Sequence, residues 1–265
     1  MKQVAGVDVG SANVKVVILR NGNIAAHSVV PVTTNVTEAI QACTERALEK
    51  VSSSLRDLDF TVATGYGRAA VSFADSVASE VICHAKGVHH VVPEGKTVID
   101  VGAQDSKVIR LNNDGDVTSF VMNDKCASGC GRFFEVIAHA LDMTLNAIAD
   151  LAFVSENACQ ITSTCTVFAQ SEVIVLRARG TPICDIVAGI NNAMAKRIVI
   201  MGSEVRFESP VVFTGGVAKN NGVKKSFEQL LKTQIFTPED PLITGALGAA
   251  LIAESEFIKR VYKDG

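Results

Sequence analysis

One short pattern occurs twice in this chain. Residues 8–24 read DVGSANVKVVILRNGNI and residues 100–117 read DVGAQDSKVIRLNNDGDV. Each copy opens Asp-Val-Gly, places a lysine seven residues after the aspartate, and runs as an apolar strand into an Asn/Gly turn. Val4-Ala-Gly-Val7 leads into the first copy and Thr97-Val-Ile99 into the second. Each copy therefore predicts a β-hairpin. A third strand is expected after each, Ile24 to Val30 and Val117 to Met122. The duplication predicts two α/β lobes with a cleft between them.

Helical periodicity fills the rest. It predicts helices over about Val36–Ser54 and Ala78–His90, around a short strand Phe60–Ala63. In the second half, helices are expected over Gly131–Met143 and Ile183–Val205. The first of these places Phe133, Phe134, Ile137, Ala140 and Leu141 on one side. A strand Pro210–Phe213 then precedes Gly215-Gly216, a helix to Lys232, and a last helix from Leu242 to about Phe257. The expected lobes are residues 1–95 and 96–265, with the C-terminal helix 242–265 a candidate to pack back on the first.

Composition narrows the function. With 48% hydrophobic residues, 20% charged residues and a net charge of -3, the chain reads as a globular protein without a nucleic-acid surface. Met1-Lys-Gln leads straight into a strand pattern, unlike a secretory leader, and no apolar run is long enough to span a membrane. The expected address is the cytoplasm.

Each Asp-Val-Gly falls where a strand turns. Gly10 and Gly102 permit a tight turn and a close approach of phosphate oxygens to backbone N–H groups. Ser11 offers a hydroxyl beside Ala12, and Lys15 a point charge for phosphate. Asp8 and Asp100 suit Mg²⁺ held through water. Gln104 and Asp105 are placed to orient an attacking water. Phe213-Thr-Gly-Gly-Val-Ala-Lys-Asn220 reads as strand, two glycines, then helix, which suits a nucleotide at Gly215, Gly216, Lys219 and Asn220, or an ordinary βα turn. Together these segments resemble the phosphate-1, phosphate-2 and adenosine motifs of the acetate and sugar kinase/Hsp70/actin superfamily. That resemblance implies ATP held between two ribonuclease-H-like lobes.

Seven cysteines are an odd number, without a secreted disulfide spacing, and point to thiol or metal chemistry. Cys43, Cys83, Cys159 and Cys184 read as small buried hydrophobes. Cys126 and Cys165 each lie in a polar loop leading into a helix, where thiolate is favoured. Two cysteines per chain are half of the four thiolates a cuboidal iron–sulfur cluster takes, and a two-fold axis would complete the set. Cys126 and Cys130 form an alternative pair.

The extended segments NDKCASGCGRFFE, STCTVFAQSE, ATGYGR and SEVICHA closely resemble the activators (component A) of 2-hydroxyacyl-CoA dehydratases. They also resemble the ATP-binding subunits of benzoyl-CoA reductase, the reductases of double-cubane cluster proteins, and the BadF/BadG/BcrA/BcrD ATPases generally. The resemblance implies a homodimer with one 4Fe-4S cluster held by Cys126 and Cys165 of each chain. It further implies ATP with Mg²⁺, ferredoxin or flavodoxin as electron donor, and a partner iron–sulfur enzyme as acceptor. That family usually has Gly-Gly-Gln-Asp where this chain has Gly102-Ala103-Gln104-Asp105, and dehydratase activators usually have Thr or Ser at Cys130. Tyr66, Arg68, Glu80 and His84 lie in shared segments without a derivable role. A small-molecule kinase of the same fold is the competing reading, and it leaves both cysteine segments unexplained. An ATP-dependent scaffold or chaperone is a further alternative.

Overall fold

A computed structural model of the chain describes residues 2–151, 154–155, 157–163 and 165–263. Two units divide it. The first comprises Met1–Gly95, Leu111–Val117 and Leu242–Gly265, and the second comprises Lys96–Arg110 and Thr118–Pro241.

The first unit opens with β1 (Gln3–Val9), β2 (Asn13–Arg20) and β3 (Asn23–Pro31). Then come α1 (Val36–Glu49), β4 (Phe60–Thr64), β5 (Ser76–Val77) and α2 (Glu80–Val91). Its sheet has the order β3-β2-β1-β4-β5. Asn21 and Gly22 turn β2 into β3 with φ of 49° and 83°, the pair of left-handed residues a two-residue hairpin requires. Asn35 caps α1, its Oδ1 accepting from the N–H groups of Thr37 and Glu38 at 3.0 and 3.3 Å. The helix stops at Glu49, short of the expected Ser54, and Ser52 just beyond takes a left-handed φ of 51°.

The second unit holds β6 (Thr97–Val101), β7 (Ser106–Leu111) and β8 (Val117–Asn123). Four helices follow: α3 (Gly131–Leu141), α4 (Leu145–Leu151), α5 (Thr166–Ala178) and α6 (Ile183–Gly202). The unit ends with β9 (Val211–Thr214), α7 (Asn221–Leu231) and β10 (Ile235–Phe236). Its sheet, β10-β9-β6-β7-β8, is the first sheet's order read from the other edge. In both, the first hairpin is antiparallel and the next two strands add parallel to its first strand. The sequence duplication is thus a duplication of sheet topology. The chain finishes in the first unit with α8 (Thr244–Lys263).

Side-chain alternation puts apolar groups on both faces of the first sheet. Val7, Val9, Val14, Val16 and Ile18 pack against Ile40, Cys43, Ala47 and Leu48 of α1. Val4, Val17, Leu19 and Val62 pack against Cys83 of α2 and an alanine-rich face of α8, including Ala246, Ala249, Ala250 and Ala253. Small residues let α2 and α8 touch backbone to backbone: a Cβ on Gly87 would strike the Thr244 carbonyl, and one on Gly248 the Cys83 carbonyl. The second unit has its own core, in which Ile99, Val101 and Phe213 meet Phe133, Ile137, Ile186, Ile190 and Phe227. On α3 the buried set is Phe133, Phe134, Ile137, Ala138 and Leu141, with Ala138 in place of the expected Ala140. Asp142 ends that helix with φ 56°.

Candidate functional site

The seven-residue spacing in the repeat has a simple geometric meaning. Across each antiparallel hairpin, aspartate and lysine are register partners, Asp8 with Lys15 and Asp100 with Lys107. Each turn closes through the same hydrogen bond, at 3.0 Å: Gly10 N–H to the Asn13 carbonyl, and Gly102 N–H to the Asp105 carbonyl.

In the first turn Lys15 Nζ donates to Asp8 Oδ2 at 2.9 Å. The ammonium hangs over Gly10, where an added Cβ would lie 2.8 Å from it. Ser11 and Ala12 are half-buried in the turn. Asp8 is 2% exposed, and its Oδ1 is buried without a hydrogen-bond donor. An unpaired carboxylate oxygen in such a place fits a cation or a cation-bound water. Gly65, with φ 84°, leaves that oxygen room, since a Cβ there would be 2.6 Å from it.

In the second turn Lys107 is 1% exposed and pairs with Asp105 Oδ2 at 2.6 Å and Asp100 Oδ2 at 3.7 Å. Thr214 Oγ1 donates to Asp100 Oδ1 at 2.8 Å. Asp105 is buried and ion-paired, whereas Gln104 is exposed at the tip. The sequence pattern treats the two lysines alike; packing makes Lys107 a buried counter-ion and leaves Lys15 half-buried.

The glycine loop follows β9. Gly215 has φ 85° and runs against β6, where a Cβ would strike the Val101 carbonyl. Gly216 and Lys219 are exposed. Asn220 caps α7 through Gly222 and Val223 N–H at 2.9 and 3.3 Å, and donates to Asn191 Oδ1 at 3.2 Å. Its side chain thus shapes the loop from within the fold.

The two cysteine loops line one groove of about 670 Å³ in the second unit, together with Ser106, Asn123, Lys125, Ser128 and Arg197. Cys126 and Cys165 are both exposed. Cys165 is the N-cap of α5. Cys126 instead begins a three-residue 3-10 turn, Ala127–Gly129, and the N-cap of α3 is Cys130. Cys126 therefore stands one 3-10 turn ahead of α3. Cys130 is fully buried, its thiol donating to the Ala127 carbonyl at 3.2 Å, and burial pushes its pKa up. Hydrogen bonds from Ser128 pull the Cys126 thiol down, with help from Arg197. An accessible cysteine biased toward thiolate beside a second exposed cysteine is a donor set that fits a soft metal or an iron–sulfur cluster.

Two side chains brace these loops, and neither had a role at the level of sequence. Asn123 grips Cys126 from both sides, donating to its carbonyl at 2.7 Å and accepting from its N–H at 3.2 Å. Glu172 on α5 accepts from the N–H groups of Thr162 and Ser163. Both lie inside the quoted cysteine segments, which was the available signal. A further link joins the Gly102–Asp105 turn to α3: Gly131 N–H donates to the Gly102 carbonyl at 2.8 Å, and Arg132 N–H to the Ala103 carbonyl at 2.9 Å.

The remaining residues are placed as follows. Tyr66 and Arg68 are exposed, Arg68 donating to the Gly65 carbonyl at 3.0 Å. His84 is buried on α2, one turn from Glu80, with Nδ1 3.2 Å from Thr244 Oγ1. Cys43 and Cys83 are buried, and Cys159 and Cys184 half-buried. No helix among the described residues is long and apolar enough to cross a membrane.

Paired sheets of this order define the acetate and sugar kinase/Hsp70/actin class. The ROK hexokinase of Thermus thermophilus shares the fold alone, with a TM-score of 0.54 at 14% identity over 96% of this chain and 99% of its own. Closer comparison goes further. The chain belongs to the BadF/BadG/BcrA/BcrD ATPase family, whose model matches residues 5–253. It is 45% identical over 249 residues to the activator of lactoyl-CoA dehydratase from Anaerotignum propionicum, covering 94% of this chain and 96% of that one. The crystal structure of component A of the Acidaminococcus fermentans (R)-2-hydroxyglutaryl-CoA dehydratase superposes with a TM-score of 0.95 at 42% identity, over 97% and 100% of the two chains. The Clostridium difficile 2-hydroxyisocaproyl-CoA dehydratase activator with bound ADPNP gives 0.94 at 40% identity, over 98% and 97%.

Proposed function

We propose that this protein is an ATP-hydrolysing activator that delivers single low-potential electrons to a partner iron–sulfur enzyme. It works as a homodimer with one 4Fe-4S cluster shared by two copies. The observation that carries this reading is the groove lined by both Cys126 and Cys165, with Ser106 of the phosphate-2 hairpin in its wall. Family membership and the three activator relatives support it.

On this reading Cys126 and Cys165 supply two thiolates and the second copy the other two. A cluster held by these thiolates would supply one-electron redox chemistry. Ser128 favours the thiolate form of Cys126, and Asn123 and Glu172 hold the two loops in place. Asp8 and Asp100 hold Mg²⁺ through water. Gly10, Ser11, Ala12, Lys15 and Gly102 receive phosphate, and Gly215, Gly216, Lys219 and Asn220 form the adenosine side. Gln104 and Asp105 orient the attacking water. Because α3 donates to the Gly102 and Ala103 carbonyls, a rearrangement of that turn with nucleotide state is transmitted to the Cys126–Cys130 segment.

The electron donor is a ferredoxin or flavodoxin, and the setting is the cytoplasm. The acceptor is a 2-hydroxyacyl-CoA dehydratase, the partner class named for the three relatives. A benzoyl-CoA reductase or double-cubane protein is the alternative outcome of a partner assay.

Iron analysis after anaerobic purification tests the cluster: about four irons per two chains are expected. Four per chain would replace the shared cluster with one inside each subunit, and a colourless preparation that phosphorylates a small molecule would return the protein to the kinases. Asp8→Asn is expected to abolish Mg²⁺-dependent ATP turnover in a folded dimer, and unchanged turnover would remove Asp8 from the site.

A further inference from the structure

Arg197 stands outside every sequence motif that marks the cysteines, yet it shares their groove. It lies on α6 and is half-buried. It lines the cavity together with Cys126, Ser128 and Cys165. The Cys126–Cys130 loop passes beside it, since a Cβ on Gly129 would lie 3.8 Å from Arg197 Cδ. Among the described residues no carboxylate pairs with this guanidinium. Burial depresses its pKa, and the charges that oppose this are the two sulfurs, of Cys126 and of Cys165. A guanidinium remains protonated under such conditions. Half-buried arginines are ordinarily neutralised by a carboxylate; Asp124, which also lines the groove, is exposed and makes no ion pair with Arg197, and the charges acting on the guanidinium are those of the two thiols.

We infer that Arg197 is a positioning residue that holds a fixed positive charge beside both cluster-bearing loops and thereby raises the reduction potential of the centre they hold. The inference rests on the proposed binding of a cluster by Cys126 and Cys165. Four thiolates and a cubane carry net negative charge, and reduction adds one electron and one more negative charge. A nearby cation favours the reduced form, because cluster potential follows local charge and solvent exposure. Partial burial weakens the screening that would cancel this at a free surface. Lys125 lines the same groove but is exposed, so its charge is screened and its influence is small.

The test is an EPR-monitored redox titration of the anaerobic dimer with a titanium(III) or dithionite reductant, alongside iron analysis. Arg197→Gln is expected to keep its iron and to shift the one-electron equilibrium about tenfold toward the oxidised form, a fall of about 59 mV in midpoint. Arg197→Lys and Lys125→Gln are expected to stay within twofold of the wild-type equilibrium. An unchanged midpoint in Arg197→Gln with full iron overturns the inference while leaving the cluster reading intact. So does an Arg197→Lys protein whose midpoint falls as far as that of Arg197→Gln, since the charge would then be irrelevant. If Arg197→Gln loses its iron, Arg197→Lys decides: wild-type iron and midpoint support the role of charge, and loss of either overturns it. Wild-type protein without iron defeats the cluster reading itself, and the inference with it.

Discussion

Lys107 is an expensive residue to bury, and its position shows what holds it there. Its ammonium lies between Asp105 and Asp100 with 1% of the residue exposed. Removing it leaves buried carboxylates without a counter-charge, the costly way to break a buried pair. Lys107→Met is therefore expected to lose about 3–5 kcal/mol, read as a lowered urea midpoint with an unchanged slope. Cysteine positions separate just as sharply. Cys130 is buried and satisfied by the Ala127 carbonyl, a bond that a serine hydroxyl can also make. Cys130→Ser should keep wild-type iron, whereas Cys126→Ser and Cys165→Ser should lose it. A brown Cys126→Ser protein with full iron would assign the thiolate elsewhere. The sequence marked all three cysteines. Between Cys126, exposed in the groove, and Cys130, buried as the cap of α3, lies a single 3-10 turn that no residue pattern announces.

At the level of elements, α5 matters through both its ends. Cys165 caps it, and Glu172, two turns on, reaches back to the loop that presents Cys165. Burial acts to raise the Glu172 pKa, but hydrogen bonds from Thr162 and Ser163 outweigh it and hold the carboxyl below its ordinary value of 4.5. A carboxylate depressed in the folded state stabilises fully above its unfolded pKa and ceases to do so as pH falls through the folded one. Amide exchange at Thr162 and Ser163, corrected for intrinsic rates, should thus show constant protection from neutral pH to about pH 5 and a loss below it. In Glu172→Ala the same amides should exchange roughly tenfold faster at neutral pH, and unchanged rates would remove the brace. Most long elements were legible from periodicity, down to the start of α6 at Ile183, whereas α5 was expected only as a helix after the Cys165 loop, without bounds. The two-residue strands β5 and β10 and the seven-residue α4 were not, because elements so short carry no measurable period.

For the molecule as a whole, each unit has its own apolar core, one centred on Phe133, Phe213 and Phe227 and the other on the two faces of the first sheet. Neither core includes Cys126 or Cys165. Air exposure should therefore bleach the cluster absorbance while the far-ultraviolet circular dichroism and ADP binding persist. Coincident loss of fold and colour would mean that the cluster is part of the folding unit.

Read alone, the sequence determined the two hairpins, the duplicated α/β plan and the segments in which the chemistry lies. Spacing determines register in a hairpin, so Asp8 and Lys15, or Asp100 and Lys107, have to face one another. Only the tertiary structure decided that Lys107 is buried where Lys15 is not, that Asn220 is occupied as a helix cap, and that Arg197 comes to the cysteines. Burial and long-range proximity are properties of packing: Arg197 lies on a helix distant in sequence from Cys126, and a pattern of neighbours along the chain carries no record of neighbours across a groove.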